Sequence, residues 1–376
     1  MTVLALDGAP RHYEWGSSTA IPDLLGVEPD GRPLAELWFG AHPHDSSTLP
    51  TVGGSLAEFV AADPETTLGP AVAARFGGRL PFLVKILAAS RSLSIQVHPN
   101  LDQAREGYVR EDAAGIAEDA PERNYKDANH KPELFCALTP FDALCGFRPV
   151  DQTLALLTDL ALPELNFLVD QLRRDDDPLR AAFTGVLSHP EIAPVVAAVA
   201  ARVADAADGP LYATRLASED ARGDVGVVLT LLLNYVRLEP GEAIYLGAGN
   251  VHAYLRGTGV EIMASSDNVL RCGLTSKHID VPELLKVTDF SPLPDPLWPS
   301  VGGRFDVPVP DFALTHMTID EPTGLHDDGP CIVVCTSGVV AVADIPVPSG
   351  HAAFVPAGQR VSITGPGEVF VAGVGA

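Results

Sequence analysis

Residues 81–88 form an almost unbroken apolar run, the pattern of a strand covered on both faces. The run leads into Ser92-Leu93-Ser94-Ile95-Gln96-Val97-His98-Pro99, where apolar and polar positions alternate. Side chains alternate across a strand, so Ser94, Gln96 and His98 share one face and Ile95 and Val97 the other. Pro99 has no N–H to donate and ends the ladder. Upstream, residues 1–100 mix short strands with Gly/Pro turns. Residues 55–75 hold a short helix with Leu56, Phe59 and Val60 on one side. Residues 101–132 are polar and acidic, which predicts a loop ending at Asn124–Pro132, and an apolar strand resumes at Glu133-Leu134-Phe135-Cys136-Ala137-Leu138. From Asp151 the period changes. Residues 153–160, 163–174, 178–187, 190–206 and 225–233 are Ala/Leu/Val-rich at helical spacing, several with Pro near the start. Little in this segment carries chemistry. From Arg237 onward β character returns.

The returning β region contains a repeat. Glu239-Pro240-Gly241 through His252 and Pro348-Ser349-Gly350 through Val361 each read as a turn, a strand and a Gly-rich corner. Gly241 matches Gly350, Tyr245 matches Phe354, Leu246 matches Val355 and Gly249 matches Gly358. A Gly-x-Gly turn follows each copy, at Gly257-Thr258-Gly259 and Gly365-Pro366-Gly367. Such repetition predicts two small β-barrels of one kind. The position of His252 is occupied by Val361 in the second copy, so only the first has a candidate metal ligand there.

With 376 residues, 46% hydrophobic and 20% charged, the chain has the composition of a soluble globular protein of two or three domains. No apolar run is long enough to span a bilayer, and residues 1–11 lack the pattern of a secretory signal. The five cysteines are scattered and odd in number. Reduced thiols and a cytoplasmic location are expected. The net charge of −24 argues against nucleic acid and anionic membrane as partners, since both need a basic footprint. In so acidic a chain, Lys and Arg gathered at one place call for an anionic ligand.

Gln96 and His98 on one strand face are half of a metal site, or a polar face with one hydrogen-bonded His. The downstream motifs decide between these. Strand–turn units of the form Pro-Gly-x…Gly-x-x-His resemble the cupin jelly roll. Gln96-Val97-His98-Pro99, Asn129-His130-Lys131-Pro132-Glu133, Gly249-Asn250-Val251-His252-Ala253-Tyr254 and Ser266-Asp267-Asn268-Val269-Leu270-Arg271-Cys272-Gly273-Leu274-Thr275 then occur in the order of the type I mannose-6-phosphate isomerases (phosphomannose isomerases). Tyr13-Glu14-Trp15-Gly16 and Gly40-Ala41-His42-Pro43 also resemble that family. The likeness covers nearly the whole chain.

The resemblance implies a mainly β fold: two cupin (jelly-roll) β-barrels with an inserted all-α domain. Residues 1–150 and 237–290 would form the catalytic cupin, 151–236 the helical insertion and 300–376 a metal-free cupin. It implies one zinc ion per chain, held by Gln96, His98, Glu133 and His252. An open N/O donor set of this kind leaves a position for water or substrate, though it does not by itself select the metal. The activity implied is interconversion of D-mannose 6-phosphate and D-fructose 6-phosphate through a cis-enediol(ate), feeding mannose and GDP-mannose metabolism. Zinc would polarise sugar oxygens as a Lewis acid, and Arg271 would stabilise the enediolate charge. Arg stays protonated and cannot serve as the base. Lys131, Glu261 and His130 are the candidates by type. Lys85, Lys131, Arg271 and Lys277 lie in family-like motifs, and a sugar phosphate dianion wants convergent cations and hydroxyls. Lys85, Lys277 and Ser94 are therefore the substrate-binding candidates. The partner is a small-molecule sugar phosphate, and a monomer is expected. His42, His189, His278, His316, His326 and His351 are read as structural or exposed, the cysteines as small core residues, and the aromatic clusters near Trp15 and Trp38 as core or pocket wall. Two readings compete. A cupin oxygenase would need no ring of cations, and a non-catalytic sugar-sensing cupin could lose Arg271 or a ligand.

Overall fold

A computed structural model describes residues 2–173, 176–326 and 328–376. Its strands fall into two antiparallel systems, one of twelve and one of nine strands among the described residues. The first is organised by one long strand, His252–Ala264. Its residues 257–264 pair with Phe82–Ala89 and residues 259–263 with Glu133–Ala137. Its beginning instead pairs with Phe141–Phe147, and His252 stands opposite Gln96 of Ile95–Val97. One strand thus serves two layers. At the junction, Gly257 has φ +125°, and a Cβ there would meet the Phe141 ring at 2.5 Å. The second system repeats the device with Cys331–Val342. Residues 331–338 pair with Ala352–Val355 and Gly367–Gly373, and residues 339–342 with Ile345–Pro348 and Arg360–Thr364.

The glycines of the sequence repeat hold matching left-handed conformations. Gly241 and Gly350 have φ +88° and +78°, and Gly249 and Gly358 have +79° and +69°. The repeat therefore reports shared turns, which only glycine adopts without strain. The two systems share a core in which Phe39, Val84, Ile86 and Ile262 of the first meet Phe312, Ile332, Phe354 and Phe370 of the second. The first strand of the chain, Leu4–Leu6, pairs with Ala352–Val355 and not with the β region it precedes in sequence. Leu4 and Leu6 find their apolar cover in this shared core.

The helices between Val150–Leu160 and Gly209–Asp220 lie between two strands, Phe141–Phe147 and Leu233–Leu238, that pair with each other. Their apolar stripes converge on Leu168, Phe183, Val186 and Val199, and this core continues onto Ile95, Val97, Val251, Leu255 and Leu270. The alternation in 92–99 is thereby explained. Ile95 and Val97 face the helices, and Ser94 and Gln96 face the opposite way into a cavity. The helix expected at 178–187 occurs with those bounds, others with shifted ends at Asn166–Leu172 and Ile192–Val203, and the one expected at 225–233 is shortened to Gly226–Leu229 and a 3-10 turn, Thr230–Leu232. Arg174, the predicted end of one of them, lies outside the described residues. Gly209–Asp220 is an additional helix that the sequence reading passed over. Among the described residues no single helix is long and apolar enough to cross a membrane.

Residues 101–132 depart from the predicted loop. Leu101–Ala113 is a helix, opened by a capping box in which the Asn100 side chain accepts from the Gln103 N–H and the Gln103 side chain accepts from the Asn100 N–H. Only Ala104, Gly107 and Glu111 of this helix are buried, so it carries no apolar stripe to read. Its docking is polar. Glu111 accepts from the Tyr125 N–H at 2.9 Å, and the buried Tyr125 hydroxyl donates to Glu283 at 2.8 Å.

The Tyr125 ring lies directly on Gly107, where an added Cβ would meet ring carbons at 2.4–2.5 Å. In an exposed helix Gly→Ala stabilises by roughly 1 kcal/mol. Here overpacking reverses the sign, so Gly107→Ala is expected to destabilise by about 1–3 kcal/mol. Equilibrium unfolding in urea decides it. A rise in the midpoint would mean that the ring does not occupy that space.

Candidate metal centre and the cavity beside it

Three strands deliver one donor each to a dry point in the first sheet system. His98 follows Ile95–Val97, Glu133 opens Glu133–Ala137 and His252 opens His252–Ala264. His98 and His252 are 0% exposed and Glu133 2%. Glu133 Oε2 lies 3.4 Å from His98 Nε2 and 3.3 Å from His252 Nε2. The Nδ1 of His98 is 2.8 Å from the Asn268 carbonyl oxygen, and that of His252 is 3.0 Å from the Asn250 carbonyl oxygen. A carbonyl only accepts, so each Nδ1 carries the proton and each Nε2 presents its lone pair. Both Nε2 atoms are buried without a hydrogen-bond partner. Two donors each about 2.1 Å from one tetrahedral ion lie roughly 3.4 Å apart. The three residues form the metal-capable group found among the described residues, and they fit a divalent ion. Burial, with Lys131 beside it, pushes the His98 imidazole down to about 4, against the pull of Glu133, which keeps it in the neutral form that ligates. Burial would push the Glu133 carboxyl up, but Lys131 and His98 outweigh it and hold Glu133 well below the usual carboxylate range. Gln96 stands across the ladder from both His252 and Arg271, and it lines the cavity next to the centre.

That cavity, of ≈ 720 Å³, is lined by Glu133, Gln96 and Ser94, by the buried amines of Lys85 and Lys131, and by Glu261, Arg271 and Lys277. Its floor is a chain of buried polar contacts. Lys85 Nζ donates to Glu261 Oε2 at 2.6 Å and lies 3.6 Å from Glu36. The Tyr254 hydroxyl donates to Glu261 Oε1 at 2.7 Å, and Trp38 Nε1 donates to Glu36 at 2.8 Å. Burial would pull the Lys85 amine down, but Glu261, Glu36 and Glu133 outweigh it and raise it, so Lys85 is a fixed cation. Burial pushes the Glu261 carboxyl up, against the pull of Lys85. Lys131 Nζ donates to Glu133 Oε1.

The opposite wall differs. Burial lowers the half-buried Arg271, and Arg271 in turn lowers Lys277, burial and Lys126 adding to it. Among the described residues neither has an acidic partner. Two cations that repel each other on one cavity wall make that wall electropositive.

Asn268 holds the surroundings in place. Its side-chain oxygen accepts from the Lys126 and Asp127 N–H groups at 2.6 and 3.2 Å, and its Nδ2 donates to the Asp127 and Asn129 carbonyls at 2.8 Å. Its own carbonyl orients His98. Of the residues singled out from sequence, the structure brings together Gln96, Glu133, Lys85, Lys131, Glu261, Ser94, Arg271 and Lys277 around one cavity, with His98 and His252 behind Glu133. His130 stands apart. Its Nε2 lies 2.9 Å from Asp311 Oδ2, and it does not line the cavity. Glu36 lines it and was not singled out; Tyr254 and Asp267, named in the motifs but given no role, line it too. The helical segment, read from sequence as carrying little chemistry, contributes Asp220, Arg222 and Asp224 to the rim. Their signal was only their place in a polar stretch, residues 219–224, ahead of the apolar residues 225–233.

His252→Ala removes one of three donors and leaves Glu133 facing a void. It is expected to strip a bound divalent ion, read as metal per chain after dialysis, whereas Arg271→Ala keeps wild-type metal content. A His252→Ala protein that retains stoichiometric metal would refute the assignment.

Comparison with known proteins bears on this geometry. Residues 3–150 match the family model for the phosphomannose isomerase type I catalytic domain. The chain is 41% identical to the mannose-6-phosphate isomerase of Escherichia coli (strain K12), over 96% of each chain. It is 33% identical to that of Bos taurus, over 96% of this chain and 95% of the relative. Among solved structures, the Salmonella typhimurium mannose 6-phosphate isomerase bound to fructose 6-phosphate and zinc superposes with a TM-score of 0.93 at 37% identity, covering all of both chains. Sequence and fold agree over nearly the full length, and the chain therefore belongs to the type I mannose-6-phosphate isomerase family.

Proposed function

We propose that the protein interconverts D-mannose 6-phosphate and D-fructose 6-phosphate through a cis-enediol(ate), with one zinc ion per chain held by Gln96, His98, Glu133 and His252. The observation that carries this reading is the juxtaposition of an open N/O donor set with a cavity wall of two cations that lack acidic partners among the described residues. The fructose 6-phosphate and zinc in the Salmonella typhimurium relative support it. In the same reading the two sheet systems are cupin barrels, with the helices of 151–236 inserted in the first. The net charge and five buried free cysteines support a cytoplasmic protein without nucleic-acid or membrane partners.

When bound, zinc supplies a Lewis acid for the sugar oxygens. The protein's own residues do the rest. Ser94 and Lys277 hold the phosphate end, and Lys85 fixes Glu261 in place. Arg271 faces the oxygens on which charge develops after the C2 proton leaves, and stabilises the enediolate with a planar fork of donors. The proton returned at C1 is carried by one of the two candidates lining the cavity, Lys131 or Glu261. His130 is held by Asp311 outside it. The cation wall argues against a cupin oxygenase, whose chemistry has no use for it.

A coupled assay for fructose 6-phosphate formed from mannose 6-phosphate is expected to show turnover that a chelator abolishes and zinc restores. Arg271→Ala should lose about 3–4 kcal/mol of transition-state stabilisation, mostly in kcat. Arg271→Lys should stay badly impaired although the charge is kept. If Arg271→Ala mainly raises KM at near-normal kcat, Arg271 holds the ground-state phosphate and not the enediolate.

A further inference from the structure

The helical segment reaches the cation wall through one side chain. Asp224 lies between the helices Gly209–Asp220 and Gly226–Leu229, outside the metal centre and outside every motif used above. Its Oδ1 accepts from the Leu274 N–H at 2.6 Å and from the Gly226 N–H at 2.7 Å, and its Oδ2 accepts from the Thr275 N–H at 3.1 Å. Leu274 is one of three described non-glycine residues with positive φ, at +54°. A leucine in the left-handed region is strained, and its conformation persists only where the surroundings impose it. The surroundings here are Asp224 and a backbone-to-backbone contact. A Cβ on Gly273 would meet Gly226 Cα at 2.6 Å, and a Cβ on Gly226 would meet the Leu274 nitrogen at 2.5 Å. Leu274 opens the bend of residues 274–277 that joins Arg271, on the strand Leu270–Gly273, to Lys277, which also lines the cavity. Lys277 leaves the strand through this bend, its N–H donating to the Thr275 hydroxyl at 3.1 Å.

We propose that Asp224 is a positioning residue for the phosphate of the substrate: by clamping the Leu274–Thr275 amides it holds the left-handed turn that keeps Lys277 converging with Arg271 on the cavity. The proposal rests on the sugar phosphate reading above. The electrostatics fit it. A free carboxylate at this wall would repel a dianion, but both oxygens of Asp224 are turned onto backbone N–H groups, which disperse their charge. The two cations, in contrast, lack an acidic partner among the described residues. The helical segment thereby has a stake in recognition without touching the reacting atoms.

The test compares Asp224→Ala and Asp224→Asn with wild type in the zinc-loaded full-length chain. The measurements are KM and kcat for mannose 6-phosphate, competitive inhibition by inorganic phosphate, and bound zinc. Asp224→Ala is expected to raise KM and the phosphate inhibition constant together by roughly tenfold, with kcat within about threefold of wild type and zinc unchanged. Asp224→Asn keeps an oxygen for Leu274 but none for Thr275, and should fall between the two. A merely structural role would lower the folded fraction or zinc content without moving phosphate affinity. Wild-type KM and phosphate inhibition in either folded variant would overturn the proposal, as would a loss confined to kcat. If Asp224→Ala does not fold, Asp224→Asn decides alone. If wild type itself neither turns over mannose 6-phosphate nor is inhibited by phosphate, the functional reading fails and not the clamp.

Discussion

Glu133 is a carboxylate almost without water around it, and the rest of the site follows from keeping it ionised. Removing such a group from water costs several kcal/mol unless charge and hydrogen bonds replace the solvent. Lys131, two residues earlier, supplies one compensating charge, and a divalent ion held by His98, Glu133 and His252 would supply the other. The remaining requirement is rigidity. Both imidazoles are fixed through Nδ1 by backbone carbonyls, and Asn268 fixes both one of those carbonyls and the 126–129 loop. A donor set held this firmly need not reorganise when it takes up an ion.

Much of this was legible where local rules govern. The alternation of Ile95 and Val97 with Ser94 and Gln96 gave the strand faces correctly, because one face meets the apolar helices and the other the cavity. The repeated glycines could be read because their φ values leave few other residues possible. What escaped depends on partners distant in sequence or on the backbone. The helix Leu101–Ala113 is docked by Glu111 and Gly107, which leave no hydrophobic period. Residue type left three candidates for proton transfer, and only the tie of His130 to Asp311 separates one of them from the cavity. Asp224 acts on amide groups, and no side-chain pattern records that.

The overall charge and the local charge oppose one another. At −24 the surface repels a phosphate dianion, yet that field is screened within a Debye length of about 8 Å at physiological ionic strength. In the function proposed above, Arg271 and Lys277 act inside that distance, and the half-buried Arg271 does so partly out of water, where each unit of charge counts for more. Recognition therefore resides in the cavity wall, with little contribution from steering.

The pairing of Phe141–Phe147 with Leu233–Leu238 has a consequence in time. In the second sheet system the comparable hairpin closes over Ala343 and Asp344 alone, whereas here residues 148–232 intervene. For a flexible chain, closing the longer loop costs roughly 3 kcal/mol more. The intervening chain is not flexible once its helices have formed, and helices collapse through near-neighbour contacts faster than distant strands find one another. A core formed early around Phe183 and Val199 would shorten the search for the strand that follows. The helical segment would then act as a splint during folding, set before the ladder it joins.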